Sequence, residues 1–307
     1  MSKSDCQNKK ALRGIKTGKE DRLFYTIVYG VVILLTLIVL YPIIYVISAS
    51  FSSGNAVAEG RVWLWPVEFS LEAYKAVFGY SDLWIGYRNT IFYTGVGTVL
   101  NVAMTLICAY PMARKNLVGR SFLSFVFVFT MMFGGGMIPN YLLVKNLGMT
   151  NTVWSMMIPG LMSVYNMLVA RNFIQSNIPD ELLEASIVDG CNDYRFFFDI
   201  VVPLSKSIIA VLALWYAVGH WNSYFSAFLY LTDKELYPLQ IYLKEILVQS
   251  KIDTSQVGNS LDALQMANLK QLMKYAVIVV SSVPLFAMYP FVQKHFVKGV
   301  MVGSVKG

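Results

Sequence analysis

The chain has 307 residues, of which 56% are hydrophobic and only 14% are charged. This composition is too apolar for an ordinary soluble domain. The formal net charge of +7 suits a membrane protein with basic cytoplasmic edges better than it suits a protein that binds nucleic acid.

Six long intervals of the sequence contain no Asp, Glu, Lys or Arg. A bilayer core about 30 Å thick requires roughly 20 apolar helical residues to cross it, and each interval is long enough. We therefore predict an all-α membrane protein with six transmembrane helices. The intervals lie between Arg22 and Glu59, Arg88 and Arg114, Arg120 and Lys145, Lys145 and Arg171, Lys206 and Asp233, and Lys274 and Lys294.

Lysine and arginine in the short loops predict the orientation of the helices. Seven basic residues lie in residues 1–22, three follow the second interval, and only one follows the third. We therefore expect both termini in the cytoplasm. The expected organisation is an N-terminal tail at residues 1–22, a six-helix domain at residues 23–298 and a C-terminal tail at residues 299–307. The two longest loops, residues 50–88 and 232–270, would then face outward.

The third interval contains the glycine-rich stretch "FGGGMIPN", residues 133–140. Glycines in a transmembrane helix permit a kink or a close approach between helices. We expect this stretch to bend the third helix or to pack closely against another one. No lysine follows it in the position that a phosphate-binding loop requires.

An acidic segment follows the fourth interval. Because successive helices cross the membrane in opposite directions, we expect this loop in the cytoplasm. Its sequence is "DELLEASIVDGCNDYRFFFDIVVPL", which holds six acidic residues against Arg195 alone. Pro179 suits the first helical position, Leu183 and Ile187 share a helix face, and Gly190 is a typical left-handed helix stop. The pattern predicts a short helix, a glycine turn and a second short helix. The alternative is an amphipathic connector at the membrane surface, although such helices are usually basic.

The order of residues in this segment resembles the EAA motif of ABC importer permeases. Glu184, Ala185 and Ser186 are followed after three residues by Gly190, and after nine more by the run from Ile200 to Pro203. The family pattern is E-A-A, three residues, G, nine residues, I-x-L-P. Ser186 replaces the second alanine and Val202 replaces the leucine. Asp189 before the glycine matches the D-G form that is common in sugar permeases.

The resemblance implies the six-helix MetI-like fold of type I importer permeases, with a coupling loop at residues 178–204. In that family the motif forms helices that dock into a cleft of the cytoplasmic ATPase, and Glu184 would pair with a basic group there. The residues to which the resemblance assigns ATPase coupling are Glu184, Ala185, Ser186, Asp189, Gly190, Ile200 and Pro203.

Other stretches resemble the carbohydrate-uptake branch of the same family, most closely the permeases of complex polysaccharide or oligosaccharide importers in Gram-positive bacteria. They are "YPIIYVISASFSSGNAVAEGRVWLWPVEFSLEAYKAVF", "GGGMIPNYLLVKNLGMTNTVWSMMIPG" and "WNSYFSAFLYLTDKELYPLQIYL". The resemblance implies an ATP-driven importer of oligosaccharides or polysaccharide fragments that works by alternating access in the plasma membrane. It implies as partners a second permease, two ATPase subunits that bind ATP and Mg, and an extracellular solute-binding lipoprotein.

Catalytic motifs are absent from the sequence. It has no GxxxxGK[ST], HExxH, CxxC or G-x-S-x-G motif, and Cys6, Cys108 and Cys191 have no metal-binding or disulfide spacing. We therefore expect a transport subunit without enzymatic activity of its own. A self-contained secondary transporter is disfavoured because none of the six intervals contains the carboxylate that ion coupling usually requires. A permease for a solute other than a sugar stays open.

The fifth interval is the best candidate for contact with a sugar. Its stretch "LWYAVGHWNSYFSAFLYL" combines aromatic planes with polar groups, and a histidine within a span is often functional. The same residues could instead form an aromatic belt or hydrogen-bond a neighbouring helix. The candidates for the substrate pathway are His220, Trp221, Asn222 and Tyr224, together with Asn166 in the fourth interval.

The loop after the fifth interval has apolar residues at helical spacing, at Leu239, Tyr242 or Leu243, Ile246 and Leu247. This pattern predicts a helix on the outer face. Such a helix would either contact the solute-binding protein or pack as a cap on neighbouring loops.

Overall fold

The computed structural model describes residues 19–252 and 261–303, and in these ranges the regular structure is entirely helical. The described residues form two compact units, divided between Leu71 and Glu72. Most of the N-terminal tail expected at residues 1–22 lies outside the described residues, as do residues 304–307. The first unit contains α1 (Lys19–Ser50) and α2 (Gly54–Ala58), and Ser53 caps α2 by accepting a hydrogen bond from the Ala56 backbone N–H.

The second unit contains the remaining helices. A one-turn 3-10 helix, Lys234–Leu236, also lies in this unit. The helices are α3 (Glu72–Phe78), α4 (Ser81–Ala113), α5 (Arg120–Met132), α6 (Met137–Asn146), α7 (Trp154–Met157), α8 (Val164–Asn177), α9 (Asp180–Val188), α10 (Asp193–Leu204), α11 (Lys206–Trp221), α12 (Tyr224–Tyr230), α13 (Leu239–Ile252) and α14 (Leu261–Gly303).

Three continuous helical stretches in the described residues are long and apolar enough to cross a membrane. They are Asp21–Ser50, Ser81–Ala113 and Asn268–Met288, and two further bent pairs would raise the number to five. In one pair, α5 and α6 meet at 111° across the glycine-rich stretch, which confirms the predicted bend. The fourth apolar interval is broken into α7 and α8. The six intervals therefore do not form six straight helices.

The break between α7 and α8 exposes backbone groups that two polar side chains satisfy. Asn101 donates from its amide to the carbonyl oxygens of Gly160 and Leu161, at 3.1 and 2.8 Å. The Tyr216 hydroxyl accepts a hydrogen bond from the Ser163 backbone N–H at 3.1 Å and bonds the Thr105 hydroxyl at 2.7 Å. Non-helical backbone is tolerated at membrane depth only when its polar groups have such partners.

The main hydrophobic core lies among α4, α8, α10 and α11. The apolar faces of these four helices contribute buried side chains to a single hydrophobic cluster. Burial of such side chains stabilises the packing through close van der Waals contact, which is the main attraction between helices inside a bilayer. Its fully buried residues include Ala109, Met167, Ala170, Phe196, Val201 and Leu212.

The helix predicted after the fifth interval is present as α13, and its apolar face packs on α4. The side chains of Leu239, Tyr242, Leu243 and Ile246 are buried. A Cβ on Gly86 would lie 2.8 Å from the Tyr242 ring, so a glycine permits this close approach. Of the two alternatives for this helix, these contacts favour packing as a cap on its neighbours.

Candidate functional site

The acidic segment folds as the sequence predicts, into two short helices joined by a glycine turn. The sequence suggested Pro179 as the first helical residue, whereas in the structure Pro179 is the N-cap and α9 begins at Asp180. The turn has Gly190 at φ +76°, a left-handed conformation that disfavours other residues. The Cys191 backbone N–H donates to the Ser186 carbonyl at 2.9 Å and closes the turn.

The second short helix, α10, begins and ends at defined features. The Asn192 side chain caps it by accepting from the Arg195 backbone N–H at 2.9 Å. Its centre, Phe197–Val201, is π-helical and ends shortly before Pro203, which has no N–H to donate to the helical ladder. α10 then meets α11 at an angle of 79°. The segment therefore changes direction where the fifth apolar interval begins.

Most residues of the EAA motif are exposed on this segment. Glu184, Ala185, Asp189 and Gly190 are exposed, and so is Pro203. Two residues outside the motif, Ile187 and Val188, are also exposed, the latter over 87% of its surface. Sequence reasoning did not single out Val188. Large exposed apolar residues beside a carboxylate are typical of a surface that another protein covers.

The remaining motif residues hold the segment against the core. Ser186 is buried, and its hydroxyl donates to the Leu183 carbonyl at 2.7 Å. Leu183 and Ile200 pack against the main hydrophobic core. Leu183 contacts the core, whereas Ile187, one turn later on the same face of α9, is exposed. They are four residues apart on a helix whose surroundings differ between its two ends.

The loop after α4 and the end of α8 fasten α9 in place. The Lys115 ammonium and the Asp180 carboxylate form an ion pair at 2.7 Å. The hydrogen bond and the charge of Lys115 lower the pKa of Asp180, and Asp180 raises the pKa of Lys115 in the same way. The Gln175 amide donates to the Ala113 carbonyl at 3.1 Å. Each of these contacts joins the end of α4 to the acidic segment or to the helix before it.

A stacked arginine joins the end of α4 to α10. The Arg114 guanidinium lies over the rings of both Tyr110 and Phe196, 4.8 and 4.7 Å from their centres. It also donates to the Tyr110 hydroxyl at 3.2 Å, and that hydroxyl contacts the Asp193 carboxylate at 3.4 Å. Sequence reasoning counted Arg114 only as a basic loop residue. Its position directly after an apolar interval and four residues after a tyrosine is the one local pattern that could have indicated the stack.

His220 and Trp221, both predicted for the substrate pathway, make contacts inside the protein. The His220 Nε2 donates to the Asn101 side-chain oxygen at 2.6 Å, because the Asn101 amide nitrogen is already committed to two carbonyls. A Cβ on Gly97 would lie 2.5 Å from the same nitrogen. The Trp221 side chain is buried, and its indole N–H donates to the Ser281 carbonyl at 3.1 Å.

The other three candidates lie in different surroundings. Asn222 is exposed at the end of α11, and Tyr224 is half-buried at the start of α12. Asn166 is buried in the first turn of α8, which Ser163 caps. The structure therefore brings Asn222 and Tyr224 together at one surface, buries Trp221 and Asn166, and leaves His220 half-buried.

Comparison with known proteins identifies the family. The sequence profile described as "Binding-protein-dependent transport system inner membrane component" matches residues 97–302, which include the whole acidic segment. The chain belongs to this family. The match confirms the resemblance to ABC importer permeases, and the subunit is a membrane component of a transport system.

Two relatives from Bacillus subtilis (strain 168) match most of the chain. The polygalacturonan/rhamnogalacturonan transport system permease protein YtcP is 40% identical over 291 residues, which cover 94% of this chain and 100% of the relative. Protein LplC is 39% identical over 270 residues, which cover 88% of this chain and 90% of the relative. Both spans include the helices that form the main core and the acidic segment.

A solved structure has the same fold. It is the crystal structure of a bacterial ABC transporter involved in the import of the acidic polysaccharide alginate. One of its chains superposes with a TM-score of 0.83 and is 34% identical, and the match covers 92% of this chain and 100% of that chain. The type I importer permease fold that the EAA motif implies is thereby confirmed.

Proposed function

We propose that this permease subunit serves an ATP-driven, binding-protein-dependent importer of oligosaccharides or polysaccharide fragments that works by alternating access. The observation that carries the proposal is the form of the acidic segment. Its two short helices expose Glu184, Ile187 and Val188, while contacts from Lys115 and Arg114 join it to the long helix α4. A surface of this kind suits the transfer of a movement from a partner to a membrane-spanning helix.

The partner that fits this surface is a cytoplasmic ATPase that binds ATP and Mg. Exposed apolar residues would enter a groove on the ATPase, and Glu184 would pair with a basic group at its edge. ATP binding would close two such ATPases and tilt the helices of this chain and of a second permease between inward-open and outward-open states. A solute-binding lipoprotein would deliver the saccharide to the outer face, with both termini of this chain in the cytoplasm.

The names of the similar proteins support a saccharide as the substrate. The Bacillus subtilis relative is named for polygalacturonan and rhamnogalacturonan, and the solved structure is titled for alginate. We propose the same broad class for this chain. The exposed Asn222 and the half-buried Tyr224 are better placed to meet a passing sugar than His220 and Trp221, whose side chains are hydrogen-bonded within the protein, and than the buried Asn166.

Association with the ATPase tests the docking proposal. Glu184→Lys reverses the exposed charge, and Gly190→Pro is incompatible with a φ of +76°. We expect both variants to insert into the membrane at the normal level and to retain less of the ATPase when the complex is purified through a tag on this chain. Glu235→Lys is the matched control for the charge reversal, because Glu235 is also exposed. Gly148→Pro is the matched control for the glycine substitution, because Gly148 has a φ of +67°. Both control residues are far from the acidic segment along the chain. Retention of the ATPase at wild-type strength by both test variants would contradict the proposal.

A further inference from the structure

A lysine lies over two aromatic rings where α13 meets α12. The Lys244 ammonium is 4.2 Å from the centre of the Tyr224 ring and 5.6 Å from that of Phe228. The two rings are stacked, with centres 5.9 Å apart and planes within 19° of each other. Phe228 exposes 64% of its surface, and Lys244 is exposed as well. A cation and an aromatic face are therefore both available at one surface.

Two side-chain contacts hold this arrangement in place. The Lys244 ammonium donates to the Tyr224 hydroxyl, and the Gln240 amide donates to the Asn222 side-chain oxygen at 3.4 Å. Gln240 and Lys244 are four residues apart and so lie on the same face of α13. These five residues, Asn222, Tyr224, Phe228, Gln240 and Lys244, are referred to as the Lys244 cluster.

The charge of Lys244 is not neutralised by a carboxylate of the side chains that the structure describes. The ion pairs among those side chains involve other residues. Cation–π contact orients an ammonium without cancelling its charge. An exposed, oriented and uncompensated ammonium is a suitable partner for an anion.

The hydrogen-bond donors of the cluster suit a carboxylate. The Tyr224 hydroxyl accepts from Lys244 and therefore keeps its own proton free to donate. The ammonium of Lys244 has further N–H donors. One carboxylate could accept from both groups at once, and hydrogen bonds of this charge-assisted kind are the stronger ones.

We infer that the Lys244 cluster binds the carboxylate-bearing sugar of an acidic saccharide. The uronate carboxylate accepts from Lys244 and Tyr224, and the apolar face of the sugar ring packs on Phe228. The Gln240 amide keeps one N–H beyond its bond to Asn222 and donates it to a sugar hydroxyl, while Asn222, whose amide donates to the Val218 carbonyl at 2.9 Å, holds Gln240 in place. The inference rests on the proposed function for the saccharide class. The preference for an acidic sugar comes from the unpaired ammonium.

Equilibrium binding of a charged and an uncharged probe tests the inference. The complete transporter in nanodiscs, without its binding protein, is dialysed against labelled trigalacturonate or its methyl ester. The variants are Lys244→Gln, which removes the charge, Lys244→Arg, which keeps it, and Tyr224→Phe, which removes only the donor. Lys234→Gln is the matched control, because Lys234 is another exposed lysine in the same loop region.

The inference predicts that the wild-type complex binds trigalacturonate more tightly than the ester. Lys244→Gln should weaken trigalacturonate binding about tenfold or more and leave ester binding unchanged, in keeping with the loss of a charge-assisted hydrogen bond. Tyr224→Phe should weaken it by a smaller factor, and Lys244→Arg and Lys234→Gln should retain the preference. Equal binding of the two probes by the wild type, or an unchanged preference in Lys244→Gln, would overturn the inference.

Import into proteoliposomes separates this inference from the proposed function. The same complex is supplied with ATP and with its saccharide-loaded binding protein. Uptake of neutral oligosaccharides without binding of trigalacturonate would leave the proposed function standing and overturn the acidic site. If the complex binds trigalacturonate but takes up no saccharide under any condition, the proposed function is overturned. The charge preference of the Lys244 cluster would still stand in that case.

Discussion

The His220 imidazole and the Asn101 amide are joined by a hydrogen bond of 2.6 Å across 119 positions of sequence. Asn101 in turn holds the carbonyls of Gly160 and Leu161, which lie in the break between α7 and α8. One side chain thus connects α4, α11 and the broken fourth interval. We therefore propose that His220 serves helix packing, a common role of polar groups in membrane proteins, while its part in the substrate pathway stays an untested prediction.

Replacement of His220 tests this assignment. His220→Ala removes the donor to Asn101, and we expect the free energy of unfolding to fall by about 1 kcal/mol, the usual range for a hydrogen bond of this kind. Because the half-buried ring is hydrogen-bonded to Asn101, saccharide-stimulated ATPase activity of the whole complex should keep its apparent affinity. The midpoint of thermal unfolding in detergent gives the stability. A large rise in the saccharide concentration for half-maximal activity, with stability unchanged, would return His220 to the substrate site.

Gly97 makes room for the same imidazole. A Cβ at this position would lie 2.5 Å from the His220 Nε2, closer than real contacts allow. We therefore expect Gly97→Ala to destabilise the protein by about 1–3 kcal/mol, the usual cost of overpacking. In the double variant Gly97→Ala/His220→Ala the clash is absent, and the effect of the Gly97 substitution should largely disappear. Additive losses in the thermal unfolding midpoint would show that the two residues do not meet.

The ion pair between Lys115 and Asp180 predicts a defined dependence on pH and salt. The pKa of Asp180 is lowered from 3.8, so its contribution to stability is fully present above pH 3.8 and is lost as the pH falls through the folded-state pKa. The pKa of Lys115 is raised from 10.5, so its contribution is present below pH 10.5 and is lost above the folded-state pKa. Both groups are exposed, so salt should screen the pair.

Thermal unfolding of the wild type and of Lys115→Gln measures that dependence. We expect the difference between them to be small at neutral pH, to shrink further in high salt and to vanish below the folded-state pKa of Asp180. Asp180→Asn should behave like Lys115→Gln, and the double variant should add nothing to either. A difference that persists in acid or in high salt would mean that Lys115 acts through another group.

Arg114 is expected to transmit movement between the acidic segment and α4. Its guanidinium stacks on both Tyr110 and Phe196, a geometry that lysine does not reproduce. We expect Arg114→Lys to retain the ATPase in the complex but to import several-fold less saccharide per ATP hydrolysed. The measurement is uptake and phosphate release in the same proteoliposomes, with Arg88→Lys, an exposed arginine at α4's other end, as the control. An unchanged ratio would show that the stack has no part in transmission.

The sequence was sufficient where local chemistry decides the structure. Pro179 and Gly190 mark the start of α9 and the turn after it, and the glycines before Met137 indicate the bend between α5 and α6. These features depend on backbone preferences of single residues, which a sequence states directly. The same directness let the spacing of the EAA motif indicate the family.

Long-range contacts were beyond the sequence. Nothing near Asn101 or Arg114 indicates that the first holds the break at Gly160 or that the second stacks on Phe196, because their partners are far away along the chain. The fourth interval looked continuous since it lacks charge, yet the adjacent Pro159 and Gly160 could have indicated the break. The sequence places His220 and Trp221 in the fifth interval, but it does not indicate their hydrogen bonds to Asn101 and Ser281, because these partners are also far away along the chain.

A cross-link between the acidic segment and the ATPase would test whether the two are in contact. Val188 exposes 87% of its surface and lies beside the motif, so Val188→Cys is introduced after Cys6, Cys108 and Cys191 are replaced by serine. We expect a disulfide adduct with a cysteine placed at the groove of the ATPase, at a yield that ATP changes, whereas Phe228→Cys should give none. Absence of this adduct, together with labelling of the Val188→Cys thiol by a reagent dissolved in the lipid, would contradict docking of the segment to the ATPase.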